Sequence, residues 1–390
     1  MIKTRIYIFL MTLLFLQSCM FFKDEGPADR LGRSEEVLEQ TVGETAPLLE
    51  ARYFTRGKLV NVNRGASGAV KLFYVYFDKG LSKKGIANGL EGMKRFNDLG
   101  LMFRLEQTLN PKKAHIKAVL VNSADIGGVD ARTLYPQGGL PGKLIKLNNN
   151  IYHKSVKKLP GNMASMFAHE LGHAFGFMHM DHADNKLSCG RRKYVEKKSY
   201  KAQPVPGTAS STPIENSFML ACIDRDEDRP VLLIDQIGIY NVYGRYKNEG
   251  VPFLKYKGNN GYSNYYTTDY NELMEGNDNY EAQGIIGRVF LENKADKSTV
   301  PLAYYYNAIT KDHYYTHILT ELGMGKDDYE FIRLYYVYAE TDGKSRVPLI
   351  RFHNQEEQKH FYTSDVAEAY KLQKDRLWQY QGVVGYLNAN

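Results

Sequence analysis

The stretch from Ala168 to Asp181, AHELGHAFGFMHMD, sets three histidines and one glutamate at spacings that few folds can use. In an α-helix His169 and His173 lie four residues apart and project from one face, with Glu170 beside them. Gly176 follows His173 by three residues, where a left-handed backbone ends a helix without a Cβ clash and turns the chain back. That turn carries His179 toward the first two. Three neutral imidazoles hold Zn²⁺ and leave a fourth position for water, the arrangement of a catalytic zinc site rather than a structural one. The expected metal ligands are His169, His173 and His179, and Glu170 is the expected catalytic base. His182 competes as third ligand, but His179 fits the turn without extra chain. The short form H-E-x-x-H occurs by chance on amphipathic helices. The longer form is hard to obtain by accident in 390 residues with 10 His and 34 Gly.

The full pattern is the H-E-x-x-H-x-x-G-x-x-H signature of the metzincins, zinc endopeptidases with a methionine-containing turn beneath the metal. Within that group the chain resembles the dual-action HEIGH metallopeptidases of secreted bacterial proteins. The resemblance rests on AHELGHAFGFMHMD, on PVPGT at Pro204 to Thr208 and on ENSFM at Glu215 to Met219, and covers approximately residues 70 to 245. Leu171 stands where the family name has isoleucine. The resemblance implies a metzincin-like catalytic domain, a zinc cofactor, a protein or peptide substrate, and Met219 as the turn methionine. Astacin-type members carry a tyrosine two residues after that methionine. Ala221 stands there instead, so no tyrosine fifth ligand is expected.

The N-terminus, MIKTRIYIFLMTLLFLQSC, has Lys3 and Arg5 before an apolar run too short for a membrane span, and reads as an export signal over residues 1–18. Leu16 to Cys19 resembles a bacterial lipobox, which makes Cys19 the expected lipidation site. Lys23, Asp24 and Glu25 resemble the short tag of lipoproteins displayed on the outer face of the outer membrane. The expected location is therefore a surface-exposed outer-membrane lipoprotein, held to the membrane by lipid alone. Two cysteines remain, Cys189 and Cys222. In an exported chain they are expected to pair as a disulfide, worth about 2 to 4 kcal/mol; two free thiols are the alternative. No cysteine lies between residues 20 and 188, which excludes a cysteine-switch propeptide. With Lys3 and Arg5 set aside, 49 of the 51 basic residues face 44 acidic ones. That excess of five is spread along the chain and argues against nucleic-acid binding.

Residues 19–50 are polar and charged and read as a flexible tether. Residues 51–246 have the alternation of an α+β domain: strands at VKLFYVYFD, LMFRLEQ and AHIKAVLVN, and a helix with Ile86, Leu90, Met93 and Phe96 on one face. KLIKLN at Lys143 to Asn148 is read as the edge strand along the cleft, where an extended substrate pairs. Pro160, Gly161 and Asn162 supply the stop and N-cap for the zinc helix. A closing helix carries Leu233, Ile237 and Tyr240 and ends at Gly244.

Residues 250–390 hold 19 of the 30 tyrosines because they contain a threefold repeat. Its copies begin at Val251-Pro252, Val300-Pro301 and Val347-Pro348 and continue to NYYT, HYYT and HFYT. Three copies of nearly 50 residues, rich in β formers, predict an all-β, β-trefoil-like domain with four strands per copy. They resemble a tyrosine-rich repeat domain of undefined function appended to secreted hydrolases. Exposed aromatics among polar neighbours would suit a glycan or glycoprotein partner. His313, His317, His353 and His360 suggest a second metal site, but His313 and His360 occupy equivalent repeat positions on different lobes, which favours structural roles.

The function these features predict is a surface-anchored zinc endopeptidase. Two rivals are a non-catalytic glycan-binding adhesin and a zinc hydrolase of cell-wall amides. The intact Glu170 opposes the first, and an edge strand along the cleft opposes the second.

Overall fold

The computed structural model describes residues 50–51, 53–62, 70–183, 185–190, 202–210, 215–245 and 248–389. The stretch read as an export signal, Cys19 and the expected tether up to residue 49 lie outside the described residues.

The first part of the chain is a mixed α/β assembly. Short strands β1 (Glu50–Ala51) and β2 (Phe54–Thr55) lead to β3 (Lys71–Phe77), α1 (Lys83–Asn97), β4 (Phe103–Gln107), β5 (Ile116–Val121), β6 (Ala131–Thr133), β7 (Leu144–Asn148) and α2 (Asn149–Tyr152). The zinc motif falls on α3 (Met163–Ala174) and the loop after it. Then come α4 (Lys186–Cys189), β8 (Gln203–Pro204), β9 (Ala209–Ser210) and α5 (Leu233–Tyr243). Five strands form one sheet in the order β4-β3-β5-β7-β6, parallel except for β6, which runs antiparallel to β7. The alternation of KLFYVYF buries Phe73, Val75 and Phe77, the period of a strand with one face on the core.

Lys143–Asn148 is not the sheet edge, as the sequence suggests; β7 lies one strand in, and the edge belongs to Ala131–Thr133. Three residues with an exposed arginine between them carry too little alternation to register as a strand. Leu134 N–H donates to Leu144 O, and Asn148 N–H to Asp130 O. The backbone groups of Asp130, Arg132 and Leu134 therefore face β7, and those of Ala131 and Thr133 face the outer edge. Among the described residues no strand pairs with that edge.

Contact between α1 and α3 depends on glycine. A Cβ at Gly92 would lie 2.8 Å from Phe167 Cβ and 3.0 Å from Ala164 O, so only a bare backbone lets the helices approach this closely. The glycine face, with Met93 and Phe96, is the buried one. The predicted apolar stripe fails at Leu90, which is 37% exposed, because Gly85, Gly89 and Gly92 take the inward positions. All twelve residues of α3 are buried, which holds its histidines in one place. Asn162 stands at the N-cap without a side-chain capping bond; its N–H donates to Arg225 O at 2.9 Å.

The last part of the chain is β-rich: β10 (Val251–Gly258), β11 (Tyr265–Thr267), β12 (Gly276–Asn277), β13 (Tyr280–Val289), β14 (Thr299–Asn307), β15 (Asp312–Thr316), β16 (Gly325–Lys326), β17 (Tyr329–Tyr338), β18 (Arg346–Asn354), β19 (Lys359–Thr363) and β20 (Trp378–Asn388). In each copy the first strand pairs with both the second and the last. The third copy departs from four strands: α6 (Val366–Lys374) replaces the short strand.

The motif tyrosines close the copies on one another. Tyr315 Oη donates to Tyr266 O at 2.6 Å, Tyr362 Oη to Tyr315 O at 2.9 Å, and Tyr266 Oη to Tyr362 O at 2.5 Å. Each hydroxyl also accepts an N–H: from Tyr266 to Tyr315, from Tyr315 to Tyr362 and from Tyr362 to Tyr266. Ion pairs follow the same cycle, with Glu272 on Arg333, Glu321 on Arg351 and Glu368 on Lys255, each joining one copy to the next. The abundance of tyrosine is thus largely a property of the core. Tyr265, Tyr266, Tyr315 and Tyr362 are at most 2% exposed, so these motif tyrosines fill the core rather than face solvent.

Candidate active site

Two elements and one turn build the site. α3 puts His169, Glu170 and His173 on its inner side, and the helix stops at Ala174. Gly176 then takes φ +103°, with Lys58 O 3.0 Å from where a Cβ would sit. Phe177 N–H closes onto Gly172 O at 3.0 Å, and His179 returns to the helix face. His173 Nε2 and His179 Nε2 are 3.0 Å apart, and His179 Nε2 and His169 Nε2 3.3 Å.

The tautomers follow from the acceptors. His169 Nδ1–H donates to Phe218 O at 2.7 Å, and His173 Nδ1–H to Phe177 O at 2.8 Å. Carbonyl oxygens only accept, so both Nε2 atoms carry lone pairs aimed at a common point. Burial pushes His169 down to about 3 and His173 well below the usual imidazole range, which keeps both rings neutral. Tetrahedral Zn²⁺ bonds to nitrogen of 2.0–2.1 Å imply ligand separations of about 3.3 Å, so the donor set fits zinc in both chemistry and span. Among the described residues, these three histidines are the group able to hold a metal.

The neighbouring candidates have other partners. His182 packs edge-on against Phe54, with ring centroids 4.3 Å apart. Asp181 accepts from Ser188 Oγ at 2.6 Å and from Ala221 N–H at 2.9 Å, tying the zinc loop to α4 and the methionine turn. Cys189 and Cys222 are joined by a disulfide across the same junction, with Cα atoms 5.2 Å apart. Met219 is fully buried, and a Cβ on Gly172 would lie 2.5 Å from its Sδ, so its thioether sits against the zinc helix between the first two histidines. Its carbonyl accepts Met180 N–H at 3.0 Å, next to His179.

Glu170 is buried, and burial raises its carboxyl to about 7 against the opposing hydrogen bond from Thr133 Oγ1 to Oε2 at 2.5 Å. A dication held by the adjacent histidines favours the carboxylate form. Thr133 lies on the edge strand, so the base is held by that strand. Tyr135 follows on the same segment: its hydroxyl is 3.1 Å from His173 Nδ1, and Arg56 stacks 3.4 Å above its ring. Thr133, Tyr135 and the carbonyls of Phe177 and Phe218 escape the sequence reading. Backbone acceptors leave no side-chain pattern, and ARTLYPQGG carries no period that would mark it.

In the repeat region His313 and His360 use their ring nitrogens on local partners. His313 meets Tyr304 Oη at 2.8 Å and Tyr280 Oη at 2.6 Å, and His360 Nδ1 meets Asp312 Oδ2 at 2.6 Å.

A buried three-histidine center with a glutamate at its side, on a helix packed against a mixed sheet, defines a metzincin-like zinc metallopeptidase. Residues 59–231 match the model of the dual-action HEIGH metallo-peptidase family. Residues 252–388 match a domain of unknown function, DUF5648. The chain is similar to solved structures including myroilysin, at 11% identity and a TM-score of 0.29, covering 48% of this chain and 98% of that one. It is also similar to High choriolytic enzyme 1, a hatching enzyme zinc-protease from the medaka fish Oryzias latipes, at 17% identity and a TM-score of 0.23, covering 42% and 78%. No curated protein matches the sequence.

Proposed function

We propose that this zinc metallopeptidase cleaves within extended peptide segments, with Glu170 as general base. The observation that carries the reading is the placing of Glu170 beside three convergent imidazoles and under the outer edge of β6. Ala131 and Thr133 turn their backbone groups to that edge, so an extended peptide adds there as a further strand and brings its scissile carbonyl to the histidines. Zinc, when bound, polarises that carbonyl and makes water a nucleophile near neutral pH. Glu170 accepts the proton of the attacking water and returns it to the leaving amine nitrogen. Thr133 holds one carboxylate oxygen, leaving the other to the water. His169, His173 and His179 hold the metal, and the buried Met219 supports the helix beneath them.

The three copies of residues 250–390 are read as lobes of a β-trefoil-like domain; the tyrosine cycle and the cyclic ion pairs support that reading. Glycan or glycoprotein binding by this domain is the partner reading, and half-exposed Tyr370 and Tyr380 are the aromatics placed to stack on a sugar. The lipobox-like sequence ending at Cys19 supports a lipoprotein, and Lys23, Asp24 and Glu25 after it support a place on the outer face of the outer membrane.

Replacing Glu170→Gln is expected to retain zinc while lowering kcat on a short peptide by about 10²–10⁴-fold, measured with metal analysis on the same sample. Activity within a few-fold of wild type would sink the assigned base. Cys19→Ala is expected to lose incorporation of labelled palmitate and to leave the membrane fraction; labelling that persists would refute the anchor. On a glycan array the full chain is expected to give signals that fall when Tyr370 and Tyr380 are changed to Ala. An array with no signal refutes the glycan reading.

A further inference from the structure

The β-rich domain is seated on the peptidase through α5. Both carboxylate oxygens of Glu275 accept from the first turn of that helix: Leu233 N–H to Oε2 at 2.9 Å and Ile234 N–H to Oε1 at 3.0 Å. These are donors that a helix start leaves without intrahelical partners, and the negative charge also meets the positive end of the helix dipole. Glu275 is itself fixed. Tyr270 Oη donates to its Oε1 at 3.0 Å, Tyr256 Oη donates to Met274 O at 2.9 Å, and the chain passes through positive φ at Met274 and Gly276 on either side. Further along α5, Arg288 donates to Asn241 Oδ1 at 3.1 Å.

The same helix turn holds the floor of the zinc site. Asp235 is fully buried and accepts from Ser217 Oγ at 2.5 Å, Tyr53 Oη at 2.6 Å and Leu232 N–H at 2.9 Å. Ser217 Oγ accepts Met219 N–H at 3.1 Å, and between these residues Phe218 O orients His169. From Glu275 to a metal ligand there is one helix turn, one carboxylate, one serine and one methionine turn.

The repeat itself shows that the lobe fold does not require this carboxylate. ELMEGNDNY at Glu272 to Tyr280 aligns with ELGMGKDDY at Glu321 to Tyr329. The register is anchored by Glu272 accepting from Tyr265 and Glu321 accepting from Tyr314 at the equivalent place. Where the first copy has Glu275, the second has Met324, which is 71% exposed. Of these two copies, the carboxylate is in the one whose loop meets α5.

We propose that Glu275 is a positioning residue for the peptidase: the β-rich domain clamps α5 and, through Asp235 and Ser217, fixes the Met219 turn that orients His169. The proposal rests on the zinc-peptidase reading. Its test uses the full chain, with Glu275→Met (the residue of the second copy), Glu275→Gln, and Glu330→Gln as an exposed control. Zinc transfer to a chromogenic chelator is followed alongside kcat, KM and thermal midpoint. Zinc release is expected to be about 10-fold faster in Glu275→Met and about threefold faster in Glu275→Gln, with kcat falling in step and KM within about twofold. Wild-type release from a folded Glu275→Met chain, even one with a lowered thermal midpoint, overturns the clamp. If Glu275→Met does not fold, Glu275→Gln decides by the same rule. A wild-type chain that binds zinc but cleaves no peptide would undo the peptidase reading, while the release rates would still judge the clamp.

Discussion

His169 and His173 turn Nε2 lone pairs toward a point shared with His179, whose Nε2 lies 3.3 and 3.0 Å from theirs, a buried arrangement that calls for a cation between them. Two of the rings are locked in that tautomer by carbonyl acceptors and driven to the neutral form by burial. Much of the first part of the chain serves this convergence. The glycine contacts of α1 let α3 sink fully into the core, Gly176 turns the chain back, and Asp181 with the Cys189–Cys222 disulfide binds the returning loop to the methionine turn. A helix buried on every side is costly to move, which suits a site whose histidines must hold their spacing to a few tenths of an ångström.

The β-rich part solves a different problem. Copies of this size bury little apolar surface alone, and here they are joined by a closed cycle of tyrosine hydroxyls and backbone groups that pairs every member as donor and acceptor. A tyrosine adds both the ring area and the polar handle that such a junction needs. The cycle also leaves each copy free to vary at its loops. Glu275 on α5, exposed Met324 and the helix α6 stand in three versions of one region, so a common core supports three different outer surfaces.

The zinc ligands were legible because their chemistry fixes residue type and spacing together: a four-residue step, a glycine turn, a third histidine. The copies were legible because repetition needs no structural premise, and the outline of the sheet followed from period-two runs such as KLFYVYF. Features made by backbone were not legible. The edge strand is three residues long, and its importance lies in which way Ala131 and Thr133 turn their amides, which no composition records. Leu90 looked like core because glycine carries no hydropathy signal, although Gly85, Gly89 and Gly92 take the inward face. The sequence does not distinguish a ring that stacks on a ligand from one that fills a core, so the abundance of tyrosine after residue 250 suited a sugar surface and a core alike.

His179 is the one ligand of the three that comes from outside the helix, and its place depends on the turn at Gly176. Metal content per chain, measured after exhaustive dialysis for wild type and for His179→Ala, tests it most directly. The expected result is about one zinc per wild-type chain and well under half that in the variant, with the fold retained in both. A folded His179→Ala chain that keeps a full equivalent of zinc would contradict the three-histidine site and move the third ligand elsewhere.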